Sequence, residues 1–418
     1  MKFSEELVWR NSIKDKTFTN VSYLDSSHTL YLGTDGTADS LTIGHLAWLV
    51  LLMRFLANGY KVFVLVGGAT TMVGDPSERA DERELKTVEE IRHNTESIKQ
   101  QVESVFKLNN IKEKVEFVNN YDWFKDIKLL DFLRDTGKLF NVSDLVSRDF
   151  VQQRIDETGN GISFAEFSYT LIQGYDFWHL HKYHGIDLQI GGSDQWGNLL
   201  SGVGLIRKKE NTEVNAMTIP LIINRSTGVK FGKSEAGAVW LDAKKTSPTD
   251  FYQFFINTND DDVEYLMKAY TFISPEDLDM LITKHNTDPS KRLAQKELAY
   301  QVTLMVHGQE QTEIAVKITD ILTGKVNLNE VNKVEAELLK NNFNISNHKP
   351  GDSILDILVE TKLCSSKTEA RKLLNNDSIS INFKKVSEEL LIEENFVNGI
   401  LLLKKGKAFK DTVVVSLV

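Results

Sequence analysis

The sequence predicts a doubly wound α/β fold with a parallel sheet, followed by an α-helical region and a small α+β module. Three observations carry this. A strand turns into a helix through small polar residues at 31–45, an apolar run at 60–68 ends in a glycine pair, and 187–195 repeats the strand-then-glycine-loop design. Strand, helix, strand in this order begins a doubly wound sheet, and strands covered on both faces read as continuous apolar runs.

The 418 residues suffice for two or three domains, and 41% hydrophobic with 26% charged residues is an ordinary globular balance. The longest apolar run, 46–53, is too short to span a bilayer, and the opening Met-Lys-Phe-Ser-Glu-Glu lacks a signal-peptide pattern, so a cytoplasmic location is expected. The single cysteine, Cys364, excludes an intramolecular disulfide and a multi-cysteine zinc site. None of the 9 histidines stands in a His-Glu-x-x-His pattern, so no protein-bound metal is expected. A net charge of −10 argues against nucleic-acid binding over the whole surface and leaves room for a local basic patch.

In the 31–45 turn, Gly33 and Gly36 permit close backbone approach, and Ser40 or Thr42 can cap the helix running on to Arg54. The helix start offers unpaired N–H groups and a positive dipole end, which suit phosphate. The strand at 60–68 leads into a loop where Asp75 precedes a proline and is biased away from helix. Residues 88–106 read as an exposed amphipathic helix and 115–120 as a third strand, ending near Asn120. A helical pattern at 126–154 fits an insertion between the halves of the sheet. At 163–178 a helix would bring Tyr169, Gln173 and Asp176, spaced i, i+4 and i+7, onto one face. The helix at 199–209 ends in Arg207, Lys208 and Lys209, which complement its dipole and can reach phosphate. A polar loop at 229–235 carries two lysines around Gly232. The pattern from 247 to 326 is helical throughout, 327–352 looks like a linker around a short helix, and a separate module begins at 354. The expected division is therefore 1–228 with a helical insertion at about 124–160, then 229–326, 327–352 and 353–418.

Four motifs in order, Thr42-Ile-Gly-His45, Tyr169 with Gln173 and Asp176, Gly191-Gly-Ser-Asp-Gln195 and Lys230-Phe-Gly-Lys-Ser234, resemble the bacterial-type tyrosyl-tRNA synthetases, class I aminoacyl-tRNA synthetases. The resemblance runs over nearly the whole chain. It implies that tyrosine and ATP, the latter with Mg2+, form tyrosyl adenylate and pyrophosphate, and that tyrosine then passes to the terminal ribose of its tRNA. Such chemistry needs positioning, and donors or cations where negative charge builds up. By resemblance, His45, Thr42 and Thr37 meet the ATP phosphates, with Gly33, Asp35 and Gly44 alongside. Lys230 and Lys233 close over the pyrophosphate on a loop supported by Ser234, and Arg79 and Arg83 take the family's mobile basic positions. Gly191, Gly192 and Asp194 hold the ribose, and Gln195 orients the reacting carboxylate. Tyr31 and Asp176 flank the substrate hydroxyl, Asp75, Tyr169 and Gln173 bind its ammonium, and Asn120 and Gln189 complete that group.

Two positions depart from the family pattern: Thr42 replaces the first histidine of His-Ile-Gly-His, and Asp35-Gly-Thr37 replaces Asp-Pro-Thr. A Thr42 hydroxyl that partly stands in for the imidazole would preserve activity. Leu32 cannot hydrogen-bond the ribose. The module at 353–418 resembles the small S-four-like RNA-binding fold. Lys367, Arg371 and Lys372 stand at helical spacing there, within a stretch, 362–410, of ten basic and six acidic residues, and with Arg207 and Lys208 they are the expected tRNA contacts. The family is dimeric, which implies a homodimer. Two other readings stay open: a tryptophan-type synthetase, which Tyr31 and Asp176 suit less well, and a non-catalytic RNA-binding protein that keeps the fold.

Overall fold

The structure is a computed structural model. It describes residues 1–76, 86–111, 115–148, 151–152, 162–225, 228–234, 237–343, 345–406 and 411–418, with the backbone alone at 233–234. Two compact units divide these residues, the first from 1–246 and 258–306, the second from 247–257 and 307–418.

The first unit is built on a five-stranded, all-parallel sheet. Its strands are β1 (Thr29–Asp35), β2 (Lys61–Gly67), β3 (Glu116–Val118), β4 (Leu188–Gly192) and β5 (Asn215–Ile219), in the order β3-β2-β1-β4-β5. The order reverses at β1, and a crevice opens there beyond the carboxyl ends of β1 and β4. Register pairs Tyr31 with both Phe63 and Gln189, so these side chains share one face of the sheet. On that face Tyr31, Phe63 and Leu65 pack with Phe177 and Leu180 of the helix Phe164–His184 and with Leu205 and Ile206 of Trp196–Glu210.

The helix Phe164–His184 starts where the Ser163 hydroxyl accepts the Glu166 N–H, and it stops at Gly185, whose φ of 69° ends the helical turn. The helix Ile43–Ala57 is buried along almost all its length. Its one internal cation, Arg54, donates to the Thr271 carbonyl and lies 3.5 Å from Glu6, while Arg10 also binds Glu6, at 2.7 Å. Thr42 is the N-cap residue of this helix; Ser40, the other candidate, donates to the Leu41 carbonyl instead. Gly36 serves packing rather than ligand approach, because a Cβ there would lie 3.1 Å from Thr95 Oγ1 of the helix Val88–Leu108.

The helical region at 229–326 is not one body. The helices Asp260–Tyr270 and Pro275–Thr287 belong to the first unit, Pro248–Ile256 to the second, and Leu293–Leu322 is broken at Gly308, where φ is 80°. Periodicity registers helices, whereas their allegiance depends on long-range packing.

The stretch 327–352 is likewise no linker. It contains the helix Lys333–Asn342 and a strand, Ile345–His348, of the terminal sheet. That sheet joins β8 (Ile345–His348), β9 (Ile379–Ile381), β10 (Lys384–Lys385), β11 (Ile400–Lys405) and β12 (Thr412–Leu417) in the order β10-β9-β11-β12-β8, with β12 between β11 and β8 (β6 and β7 are the pairs Lys233–Ser234 and Gly237–Ala238). Leu401, Leu403, Val413 and Val415 face the helices Ile354–Glu360 and Lys367–Asn375. Ile400, Leu402 and Val414 pack against Ile318, Ile321, Leu322, Ala336 and Leu339. The module from 354 is therefore not self-contained, since one face of its sheet is closed by helices that precede it.

Candidate active site

The crevice at the carboxyl ends of β1 and β4 holds a cavity of ≈ 420 Å³. Tyr31, Gly33 and Asp35 come from β1, Gln189, Gly191 and Gly192 from β4, and Asp194 and Gln195 from the turn after it. The helix Phe164–His184 contributes Tyr169, Gln173 and Asp176 from one face, as their spacing predicts. Thr37, Thr42, Gly44, His45 and Lys230 also line the cavity, and Asp75 lines it near Tyr169 and Gln195.

One end of the cavity is acidic and lined with polar atoms that lack partners. Asp176 is 2% exposed and accepts hydrogen bonds from Asn120 Nδ2 at 3.0 Å and Trp123 Nε1 at 2.9 Å. Burial pushes its carboxyl up to about 8; those two donors oppose the rise, and Asp35 adds to it. Tyr31 is fully buried, and among the described residues its hydroxyl, Gln173 Oε1 and Gln189 Oε1 find no hydrogen-bond partner. Burial, with the nearby Asp176 carboxylate, raises the Tyr31 phenol well above its ordinary range. A buried polar atom without a partner costs about 1–3 kcal/mol, so this end is arranged for a ligand that supplies the missing partners.

Asp35, expected beside ATP, is tied to this acidic end. Its carboxylate accepts the Thr70 hydroxyl at 2.7 Å and the Tyr169 hydroxyl at 3.1 Å. Burial is the main reason the Tyr169 phenol is raised, and Asp35 and Asp75 add to it. Asn120 sits behind the wall, bridging Asp176, Thr70 and the Ala69 N–H. Gln195 Nε2 donates to Asp75 at 2.7 Å. Asp194 is pushed up, mostly by burial and also by Asp75.

The other end carries donors and a cation. His45 Nδ1 accepts the Thr42 backbone N–H at 3.0 Å and lies 2.9 Å from the Thr42 hydroxyl. A nitrogen that accepts a backbone N–H carries no proton, so the neutral ring keeps its proton on Nε2. Burial, and then the Lys230 charge, pulls the imidazole down to about 4, which keeps it neutral at physiological pH. The Thr42 hydroxyl is thus engaged with the second histidine of the motif. The loop after Lys230 lies close to this helix start: a Cβ on Gly232, whose φ is 104°, would come within 2.8 Å of Ile43 Cγ1.

Arg79 and Arg83 lie outside the described residues. Lys233 and Ser234 form β6, paired with Gly237–Ala238, and are described by backbone alone. Arg207 is exposed, whereas Lys208 donates to the Leu139 carbonyl at 2.6 Å and is held against the insertion. In the second unit Lys367 is paired with Asp356 and Arg371 with Glu389 at 3.1 Å, while Lys372 is exposed. Sequence reasoning missed Thr70, which lines the cavity, and Trp123, Arg148 and Asn198, which lie behind the lining residues. No local motif marks them, because each is recruited by a side chain distant in sequence.

Residues 25–322 match the family described as tRNA synthetases class I (W and Y). The chain belongs to this family. Residues 335–409 match the C-terminal domain described as Tyrosine--tRNA ligase SYY-like. The chain is 41% identical over 419 residues to Tyrosine--tRNA ligase 2 of Bacillus cereus, covering 97% of this chain and 98% of that one. It is 42% identical over 413 residues to the Tyrosine--tRNA ligase of Lactobacillus johnsonii, with 96% of each chain covered. Among solved structures, a C-terminally truncated mitochondrial tyrosyl-tRNA synthetase of Aspergillus nidulans superposes with a TM-score of 0.66 at 32% identity, over 75% of this chain and 92% of that one.

Proposed function

We infer that the chain activates L-tyrosine with ATP and transfers it to the terminal ribose of its tRNA. The observation that carries the amino-acid choice is the buried, unpartnered Tyr31 hydroxyl beside the buried Asp176 carboxyl. A phenol hydroxyl can both donate and accept there, whereas phenylalanine offers neither function and leaves the Tyr31 hydroxyl unpaired. Asp35 and Asp75, both beside Tyr169, give this end the charge that a substrate ammonium neutralises. In the first step a tyrosine carboxylate oxygen attacks the α-phosphorus, and the bond from that phosphorus to the pyrophosphate oxygen breaks. Lys230 and the His45 Nε2–H stabilise charge on the departing phosphates. In the second step a ribose hydroxyl of the tRNA displaces AMP from the acyl carbon. Mg2+ arrives on ATP and neutralises its phosphates; the protein's part is to hold ATP between the His45 turn and the Gly191–Asp194 turn.

ATP–pyrophosphate exchange measured separately with tyrosine, tryptophan and phenylalanine tests this reading. Exchange with tyrosine alone is expected. Exchange with tryptophan would move the chain to the other branch of its family, and no exchange with any of the three would favour RNA binding without catalysis.

Thr42 acts in this reading by holding His45 through its hydroxyl. Thr42→Ala, which removes that hydrogen bond, is expected to lower the tyrosine exchange rate about tenfold and the stability by about 1 kcal/mol, and Thr42→Ser to keep both near normal. An unchanged rate in the alanine variant would mean that the backbone N–H alone orients the ring.

The working form is a homodimer in the cytoplasm. Support for the dimer comes from large apolar side chains on the insertion and the helix after it: Leu130 is 78% exposed, Val142 62% and Phe164 76%. Light scattering is expected to give twice the chain mass of 47.4 kDa, and Phe164→Asp to shift the population toward single chains. A single-chain mass for the unaltered protein would remove the dimer from the reading.

The tRNA lies partly on the second unit. Because Lys367 and Arg371 are engaged by carboxylates, Lys372 is the residue of that group with the most freedom to meet phosphate. Lys372→Glu is expected to reduce tRNA charging several-fold and leave exchange within twofold. Equal loss of both activities would place its effect in the catalytic unit. This substitution is a cleaner test than removing 354–418, which would uncover Ile318, Ile321 and Leu322.

A further inference from the structure

Behind the amino-acid end of the cavity runs an unbroken chain of side-chain hydrogen bonds. Arg148 Nη1 donates to Thr170 Oγ1 at 3.2 Å, and Thr170 donates to Asn198 Oδ1 at 2.7 Å. Asn198 Nδ2 donates to Gln195 Oε1 at 3.1 Å, and Gln195 Nε2 donates to Asp75 at 2.7 Å. Thr170 and Asn198 are each 2% exposed, so water does not compete for these bonds. A second Arg148 nitrogen, Nη2, donates to Ser201 Oγ at 2.6 Å, which fixes the guanidinium plane.

The two ends of the chain have obligatory polarity. A guanidinium can only donate and a carboxylate can only accept, while hydroxyls and amides between them can run either way. With Arg148 at one end and Asp75 at the other, every intermediate orientation is set: Thr170 has to pass its single proton to Asn198, and both amides have to present oxygen toward Arg148 and nitrogen toward Asp75. Gln195, which lines the cavity, therefore shows the ligand an amide whose N–H side is fixed. Without the guanidinium, Thr170 can turn its proton away, Asn198 can flip, and Gln195 loses the donor that holds its oxygen. Burial lowers Arg148 to about 10, which still leaves it charged at neutral pH.

We propose that Arg148, supplied by the helical insertion just after Val142–Val146, is a positioning residue for tyrosine: through Thr170 and Asn198 it fixes the amide orientation of Gln195 beside Asp75. It touches no reacting atom. The proposal rests on the tyrosine-activation reading above and adds a residue to it. It also gives the insertion a part in substrate binding.

The test uses the full-length chain and measures KM for tyrosine and for ATP separately in the exchange reaction. Arg148→Met removes the donor at similar length, Thr170→Val removes the relay hydroxyl, and Thr170→Ser keeps it. Both Arg148→Met and Thr170→Val are expected to raise the tyrosine KM about tenfold with the ATP KM within twofold, and Thr170→Ser to stay within twofold on both. Equal movement of both KM values, or a tyrosine KM within twofold in folded Thr170→Val, overturns the proposal. If Arg148→Met fails to fold, Thr170→Val decides; a Thr170→Val chain that loses its secondary structure makes the contact structural and overturns the proposal too. If the unaltered chain shows no tyrosine-dependent exchange, it is the function that fails, an outcome distinct from these.

Discussion

Lys230→Ala is expected to lower the rate of tyrosyl adenylate formation by about 100-fold, the usual cost of removing one preorganised charge-stabilising group. Lys230 lines the cavity at the end opposite the carboxylates and is close enough to depress the His45 imidazole. Asp35, Asp75 and Asp176 gather at the other end, so the cavity is polarised along its length. Negative charge grows on the bridging and terminal oxygens of pyrophosphate as it departs. A cation at that end therefore lowers the barrier more than it strengthens ground-state binding. The tyrosine KM is expected to stay within twofold, because the amino acid is held at the far end. Single-turnover measurement with labelled ATP separates the two quantities. A variant with a raised tyrosine KM and an unchanged rate would assign Lys230 to amino-acid binding instead.

Asp176→Asn is expected to have two separable effects. Tyrosine kcat/KM should fall between about 10- and 100-fold, since a carboxyl held to meet the substrate hydroxyl beside Tyr31 is replaced by an amide whose single oxygen is already claimed by Asn120 or Trp123. The second effect is on the fold and depends on pH. The Asp176 carboxyl stands near 8 in the folded chain, against about 4 for an unperturbed aspartate. A raised value means that the folded state keeps a proton the unfolded state releases. The resulting stabilisation is fully present below about pH 4 and is lost as pH rises through about 8. Asparagine cannot titrate. Relative to the unaltered protein, the variant should therefore gain ground between pH 5 and pH 9, by about 2 kcal/mol or more. At pH 5 it should be the less stable of the two, because the asparagine's one carbonyl oxygen serves only one of Asn120 and Trp123 well. Thermal midpoints of the ligand-free proteins across that range give the answer. Two curves that stay parallel would show that Asp176 is ionised in the folded state.

The parallel sheet was legible because β2 is a continuous apolar run ending in glycine and because β1 and β4 both carry glycine near their carboxyl ends before a turn. Tyr169, Gln173 and Asp176 were legible because helical spacing alone puts them on one face. The strand Ile345-Ser-Asn-His348 was not: it lies at a sheet edge, with Ser346 alone buried, so neither an apolar run nor a clear alternation marks it. The split of the helical region also escaped, since each helix there has an ordinary amphipathic pattern whichever unit it joins. Asp35 shows the limit within the site. Its place beside the first glycine turn suggested ATP, but Thr70 and Tyr169, from two other elements, decide where its carboxylate is held.

The place of Thr412–Leu417 inside the terminal sheet has a consequence for folding. This strand fills an inner position between two strands that precede it in sequence, and one of these, Ile345–His348, has it as its partner in the sheet. Until Thr412–Leu417 docks, that earlier strand cannot pair with its partner and the apolar residues around Ile318 and Leu339 wait for Val414. The sheet of the second unit therefore closes from an inner position rather than from an edge.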